Sequence, residues 1–298
     1  MTTAATDPTS PREELLDIFA ELGLDAQEEN ETLTSTLTAA SGVALAFRFS
    51  VEPNAFSARA NALDVALNES LFKYYELCNL WNDYRLFPRA TTIPQTDAQP
   101  TQLLVDAYFS RATRYSRAYL RDAFVVPFLQ RGLEFFDSVY ATSERDASTI
   151  REERAFLTSR RESANEPSVD LNDAREALEE FGWAYNVSNN ALVVPITRAE
   201  DPERPVYNAF FTSDERLVAN AFSRGFERNG AEVDALEFCN RWNALKPKPR
   251  ARLDAEVGLC VDDSIVARGA ERERLAKDFI QAFVLGSGDF FEVASELF

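Results

Sequence analysis

The sequence predicts an α+β protein made of two tandem copies of one domain, each an antiparallel sheet with flanking helices in the order α-β-β-β-α-β-β-α. Length is the first ground. At 298 residues the chain exceeds the size at which one core keeps growing, and two domains able to fold alone are the expected solution. An internal repeat is the second ground. The third is the clustering of strand-like runs between helices, the pattern of helices packed on an antiparallel sheet and not of alternating β-α units.

The repeat is explicit. Glu76-Leu-Cys-Asn-Leu-Trp-Asn recurs as Glu237-Phe-Cys-Asn-Arg-Trp-Asn, and both continue to Pro-Arg-Ala, at Pro88 to Ala90 and Pro249 to Ala251. Over positions 76–90, eight of 15 residues are identical at a constant offset of 161, where unrelated sequence gives about one. Nearer the end of each half, Phe124, Val125, Phe128, Leu129, Phe135 and Phe136 align with Phe279, Ile280, Phe283, Val284, Phe290 and Phe291 at an offset of 155. The change of offset places a shorter loop or hairpin in the second copy. These matches predict a first domain over 11–142 and a second over 170–298. Between them, 143–169 is highly charged and poor in large apolar residues, which predicts a linker with a helical stretch around 149–160.

The elements follow in order. Arg12 to Gly23 reads as a helix with Leu15, Ile18, Phe19 and Leu22 on one face, and Leu171 to Gly182 repeats it with Ala174, Leu178 and Phe181; each ends in a glycine stop. Strands are expected at Glu31 to Thr38 and Val43 to Val51 in the first copy, and at Trp183 to Val187, Leu192 to Thr197 and Val206 to Ser213 in the second. Asn189-Asn190 reads as a hairpin turn. Asn61 to Leu67 and Leu217 to Phe226 are read as further strands, each leading into the Cys-Asn-x-Trp-Asn helix. Pro-Arg-Ala then enters a strand in both copies. Leu103 to Ser110 in one copy, and Val257 to Val261 and Ser264 to Ala267 in the other, complete the sheets before a long Phe-rich helix.

Composition narrows the chemistry. Lys and Arg total 31 against 49 Asp and Glu, a formal charge of −18, so phosphate backbones and anionic membrane surfaces are repelled on average. Neither nucleic acid nor a membrane is expected as partner. The chain has no histidine, which removes the usual general base and the commonest transition-metal ligand, and with them Ser-His-Asp, Cys-His and His-metal sites. No catalytic residue, cofactor or metal is expected. Met1 to Pro11 lacks the basic start and apolar run of a secretion signal, and Cys78, Cys239 and Cys260 form an odd set that suits reduced thiols, so the expected compartment is the cytoplasm.

Within the shared motif, Cys78, Trp81, Asn82 and their counterparts Cys239, Trp242 and Asn243 are expected to be structural. The cysteines and tryptophans share an inward helix face, and Asn82 and Asn243 sit where a C-terminal cap is needed. Asn79 and Asn240 are expected to hydrogen-bond a neighbouring strand edge or a ligand amide. Arg89 and Arg250 are expected in exposed positions, forked onto a carboxylate of the same domain or of a partner. These four are the candidate partner-binding residues. Asp262-Asp263 with Glu256 reads as a solvated turn, because the alternating ligands and glycine of a calcium loop are missing. Gly286-Ser287-Gly288 imitates part of a phosphate loop but lacks the following Lys-Ser/Thr. The paired phenylalanines at 135–136 and 290–291 read as core.

A Cys-Asn-x-Trp-Asn helix, then Pro-Arg-Ala entering a strand, then a long Phe-rich helix resembles the YbjN family, and both copies carry the pattern. The resemblance implies a fold like that of type III secretion chaperones and a role as a bacterial sensory transduction regulator, without catalytic residues. Because secretion chaperones work as homodimers, it also implies that one duplicated chain supplies both halves of a pseudo-twofold dimer, or that the chain is itself a homodimer. The first copy departs in detail, with Leu86-Phe87 where the second has Pro247-Lys248.

The function expected from these observations is a non-enzymatic module that holds a protein or peptide partner. A small-ligand sensor and an enzyme of unusual type using carboxylates or lysine are the alternatives.

Overall fold

The protein is described from a computed structural model covering residues 10–29, 31–63, 70–84, 87–94, 101–111, 115–140, 167–197, 202–213, 216–224, 226, 232–246, 248–267 and 269–298. The linker expected at 143–169, including the helix at 149–160, lies outside the described residues up to position 166. By compactness the chain divides into two units, one of Met1–Leu67 and Leu104–Ser163, the other of Asn68–Leu103 and Ala164–Phe298. The second unit therefore contains both Cys-Asn-x-Trp-Asn segments.

The first unit opens with α1 (Pro11–Glu21). Ser10 and Glu13 form a capping box, with Glu13 N–H donating to Ser10 Oγ at 3.2 Å and Ser10 N–H to Glu13 Oε2 at 2.8 Å. The helix stops at Gly23, which takes a φ of +65°. Leu15, Ile18 and Phe19 are fully buried, as their spacing predicts. Five antiparallel strands of this unit follow: β1 (Gln27–Glu29), β2 (Thr32–Thr38), β3 (Ala44–Val51), β4 (Ala55–Ala62) and β6 (Gln102–Ser110), paired in the order β1-β2-β3-β4-β6.

The first unit's helical cover is α3 (Arg117–Leu120), a π-turn (Arg121–Val125) and α4 (Val126–Tyr140). Phenylalanines of α1 and α4 meet those of the sheet edge to face: Phe49 packs on Phe19 of α1 at 5.2 Å and on Phe128 of α4 at 5.5 Å. Gly132 is required here, because a Cβ would stand 2.8 Å from the Phe47 ring.

The strand expected at Asn61 to Leu67 forms earlier, as β4, and residues 64–67 lie outside the described set. Its core side is carried by Phe56, Ala58 and Ala60, all buried, so the alternation is one of small residues with weak contrast. β1 is an added strand, giving four before the motif helix instead of three.

The second unit holds α2 (Leu71–Tyr84), β5 (Arg89–Ile93), α5 (Leu171–Glu180), β7 (Asn186–Ser188), β8 (Ala191–Ile196), β9 (Val206–Ser213), β10 (Arg216–Ser223), α6 (Glu232–Leu245), β11 (Arg250–Asp254), β12 (Gly258–Val266) and α7 (Arg272–Leu297). Its antiparallel sheet has the order β11-β12-β10-β9-β8-β7. Asn189 and Asn190 both take positive φ, +47° and +61°, the two-residue turn that suits a twisted hairpin. The two strands expected at 257–261 and 264–267 are one continuous strand, β12, because all of Arg216–Phe222 on β10 pairs with it.

Val169, placed in the linker by sequence, is buried in this unit and donates its N–H to Ala267 O at 2.8 Å. The core joins Leu178, Leu192, Phe210, Leu217, Trp242, Phe283, Phe290 and Phe291, with Tyr75 of α2 in the same cluster. Gly286-Ser287-Gly288 lies inside α7 without a break. A Cβ on Gly286 would come within 2.6 Å of Pro249 Cδ, and buried Ser287 donates to Asn208 Oδ1 at 2.7 Å. Among the described residues no helix is long and apolar enough to cross a membrane.

Candidate functional site

The repeated motif assembles within the second unit as a pair of reciprocal clamps on strand edges. α2 and α6 both lead through a cis X-Pro bond, Phe87-Pro88 and Lys248-Pro249, into β5 and β11. The indole of Trp81 donates to Pro88 O at 3.0 Å and that of Trp242 to Pro249 O at 2.9 Å, tying each helix to its turn. Trp242 is also buried edge-on against Phe290, while Trp81 stays half-buried.

The asparagines do something sequence spacing alone does not display. Asn82 accepts from Ala90 N–H at 2.8 Å and donates to Ala90 O at 2.9 Å; Asn243 treats Ala251 the same way, at 2.8 Å for each bond. Asn79 accepts from Leu253 N–H at 2.7 Å and donates to Leu253 O at 2.9 Å. Asn240 in turn accepts from Thr92 N–H at 2.8 Å and donates to Thr92 O at 2.6 Å.

A carboxamide carries one acceptor and one donor at the spacing of a peptide group, so each side chain pairs with a backbone as a neighbouring strand would. Strand residues alternate in the direction of their N–H and C=O groups. Since β11 pairs with β12 along its other edge, Ala251 and Leu253 are the outward-facing positions, and one asparagine from each helix, Asn243 for Ala251 and Asn79 for Leu253, satisfies them. Ala90 and Thr92 on β5 receive the same treatment. Asn82 and Asn243 are thus strand clamps inside their helices and not the left-handed caps expected.

The arginines are also placed differently from expectation. Arg89 and Arg250 are 8% and 5% exposed, not surface forks, because each enters its strand directly from the proline turn. Arg250 lies opposite Asp262 in register and bonds it through Nε at 2.7 Å. Arg252 reaches the other oxygen of Asp262 at 3.0 Å, Asp254 at 2.8 Å and Asp83 on α2. Arg89 donates to Lys246 O. Asp262, expected in a solvated turn, is therefore a buried strand carboxylate between two guanidiniums. Burial pushes its carboxyl up while Arg250 and Arg252 pull against that shift.

All three cysteines are free and buried. Burial pushes Cys78 up to about 12, with its sulfur 3.3 Å from Thr92 Oγ1, and drives Cys239 and Cys260 well up too. They are packing groups and not nucleophiles.

What differs between the copies is the sheet face turned away from the helices. In the second unit, Val193, Tyr207, Ala209, Phe211 and Phe222 lie half-buried on that face, with Tyr207 stacked on Phe222 at 5.4 Å. A shallow cavity of about 420 Å³ opens there, lined by Asn189, Val193, Ala209, Phe211 and Asn220 among others. The corresponding face of the first unit's sheet is hydroxylic and cationic: Thr34, Arg48, Arg59 and Asp106 form one cross-strand row, and Thr32, Ser50, Ser57 and Tyr108 the next. Sequence reasoning did not single these residues out; their signal is the outward half of each strand's alternation.

No curated protein matches the chain. A solved structure described as "Crystal structure of YbjN, a putative transcription regulator from E. coli" is 16% identical, covers 45% of this chain and 92% of its own, and aligns with a TM-score of 0.35. A family model described as "YbjN: Putative bacterial sensory transduction regulator" matches residues 174–296, which span α5 residues, the second sheet, the α6 clamp and most of α7. The chain therefore carries a YbjN-family domain over residues 174–296.

Proposed function

We propose that the protein is a non-enzymatic regulatory module that binds a protein or peptide partner on the outward face of its second sheet. The observation that carries this reading is the apolar face of Val193, Tyr207, Phe211 and Phe222 around a shallow cavity, on a sheet whose opposite side is closed by helices. Half-buried apolar ground of this kind, open on one side, favours recognition of an extended or helical segment over enclosure of a small molecule. The family description, a sensory transduction regulator, is consistent with a partner-binding role.

The residues shared by the two copies are spent on backbone and on one another, which leaves the divergent faces to carry recognition. The reciprocal clamps support a chain that supplies both halves of a pseudo-twofold dimer and works as a monomer. Free buried thiols and the sequence charge support a cytoplasmic location without nucleic acid or membrane.

The test is affinity purification of tagged chain from its native cytosol, beside the variant Phe211→Asp. A stoichiometric protein retained by the parent and lost from a variant that still unfolds cooperatively supports the reading. An equal set of proteins on both, or none on either, overturns it.

A further inference from the structure

Arg48 on β3 and Arg59 on β4 are directly opposite each other in register, and both are exposed. Like charges in that position oppose each other at roughly 5 Å between Cβ atoms and destabilise the pair. Among the described residues, neither guanidinium has a carboxylate within 4.0 Å. Arg48 instead donates to the amide oxygen of Asn61, and a hydrogen bond with Tyr108 is the largest influence holding Arg59 above its ordinary value, with Asp106 and Glu52 contributing less. Asp106, opposite Arg59 in register, is buried at 4% exposure. The arrangement occurs in a chain of formal charge −18, where arginines have acidic groups in excess to pair with.

The repeat supplies an internal control. At the offset of 161 that relates the two motif helices, Arg48 and Arg59 correspond to Ala209 and Asn220, which are likewise opposite in register. The same scaffold is built without the arginines, so folding does not require them. Hydroxyl groups of Thr34, Ser50, Ser57 and Tyr108 stand in the same and adjacent rows, with Thr32 and Ser50 3.0 Å apart.

We propose that Arg48 and Arg59 form an oxyanion-binding site for a phosphate group, inorganic or carried as a phosphate monoester, on the outward face of the first sheet. Two guanidinium forks offer a tetrahedral anion more donors than a carboxylate can accept, and the surrounding hydroxyls add further donors at its other oxygens. The long-range field of the acidic chain weakens capture at a distance, so the site works by short-range hydrogen bonding. It is independent of the partner face on the second sheet.

The test uses the full chain, with inorganic phosphate and phosphoserine as probes in calorimetric titration. Thermal unfolding is followed alongside in phosphate, acetate and chloride at equal ionic strength. The parent is expected to bind both probes and to melt higher in phosphate than in the other salts. Arg48→Ala/Arg59→Asn, which installs the second copy's residues, is expected to bind at least about tenfold more weakly and to lose the phosphate-specific shift while still folding. Arg59→Lys, which keeps the charge but loses the fork, is expected to fall between. Binding of phosphoserine but not inorganic phosphate would assign the site to monoesters, still within the proposal. Equal stabilisation by chloride, acetate as effective as phosphate, or undiminished binding by the double variant would each overturn it.

Discussion

Asn79 and Asn240 each hold the strand that follows the other's helix: Asn79 bonds both backbone groups of Leu253 on β11, and Asn240 bonds both of Thr92 on β5. The exchange is symmetric in sequence, since the residues in each corresponding pair are 161 apart. Unpaired strand edges template aggregation and are usually blunted by charge, proline or covering elements. Here the blunting is done by side-chain amides acting as one-residue strands.

Replacing Asn240 by Ala leaves the N–H and C=O of Thr92, a fully buried residue, without their partners. The expected loss is about 2–4 kcal/mol of unfolding free energy in urea titration, from two unsatisfied buried groups. Asn240→Asp should cost a similar amount because the donor is gone. A change under about 0.5 kcal/mol for both would show that the clamp is ornamental.

Gly286 and Gly288 should respond to alanine with opposite signs. A Cβ at 286 meets Pro249 Cδ at 2.6 Å, whereas nothing lies within 4 Å of one at 288. Gly286→Ala is expected to cost roughly 1–3 kcal/mol by overpacking, and Gly288→Ala to gain up to about 1 kcal/mol from helix propensity. Thermal melts of the two variants decide it; equal effects would contradict the packing at the proline.

Asp254 provides a pH signature. Burial raises its carboxyl, but Arg252 and the amides of Glu256 and Val257 outweigh that and hold it below its ordinary value of 3.8. A folded-state value below the unfolded one adds stability above pH 3.8, which is lost as pH falls through the folded value. The stability difference between parent and Asp254→Asn should therefore be constant above about pH 5 and shrink below the unfolded value. A difference that grows on acidification would reverse the sign and refute the assignment.

Thiol labelling gives a third kind of readout. With all three cysteines buried and their thiols held protonated, a disulfide reagent at pH 8 should label the native chain slowly and label three thiols at once in denaturant. Rapid native labelling of Cys78 would contradict its burial beside Thr92.

Much of this fold can be read from local pattern, and its limits are physical. The Asn189-Asn190 turn and the Leu15, Ile18, Phe19 helix face are visible because turn chemistry and helical period act over a few residues. The β4 strand escapes because its inward residues are mostly alanines, so apolar and polar positions hardly contrast. The strand-edge role of Asn79 and Asn240 is open to chemical inference, but their partners lie 174 and 148 residues away and no local signal names them. Arg89 and Arg250 misled because a residue after a proline turn looks exposed until its cross-strand neighbour is known. Arg48 and Arg59 acquire meaning only as a registered pair.

Because both clamps are covalently part of one chain, each asparagine meets its strand at a local concentration set by the tether and not by how much protein is present. Dilution that would separate two free subunits leaves this pairing untouched.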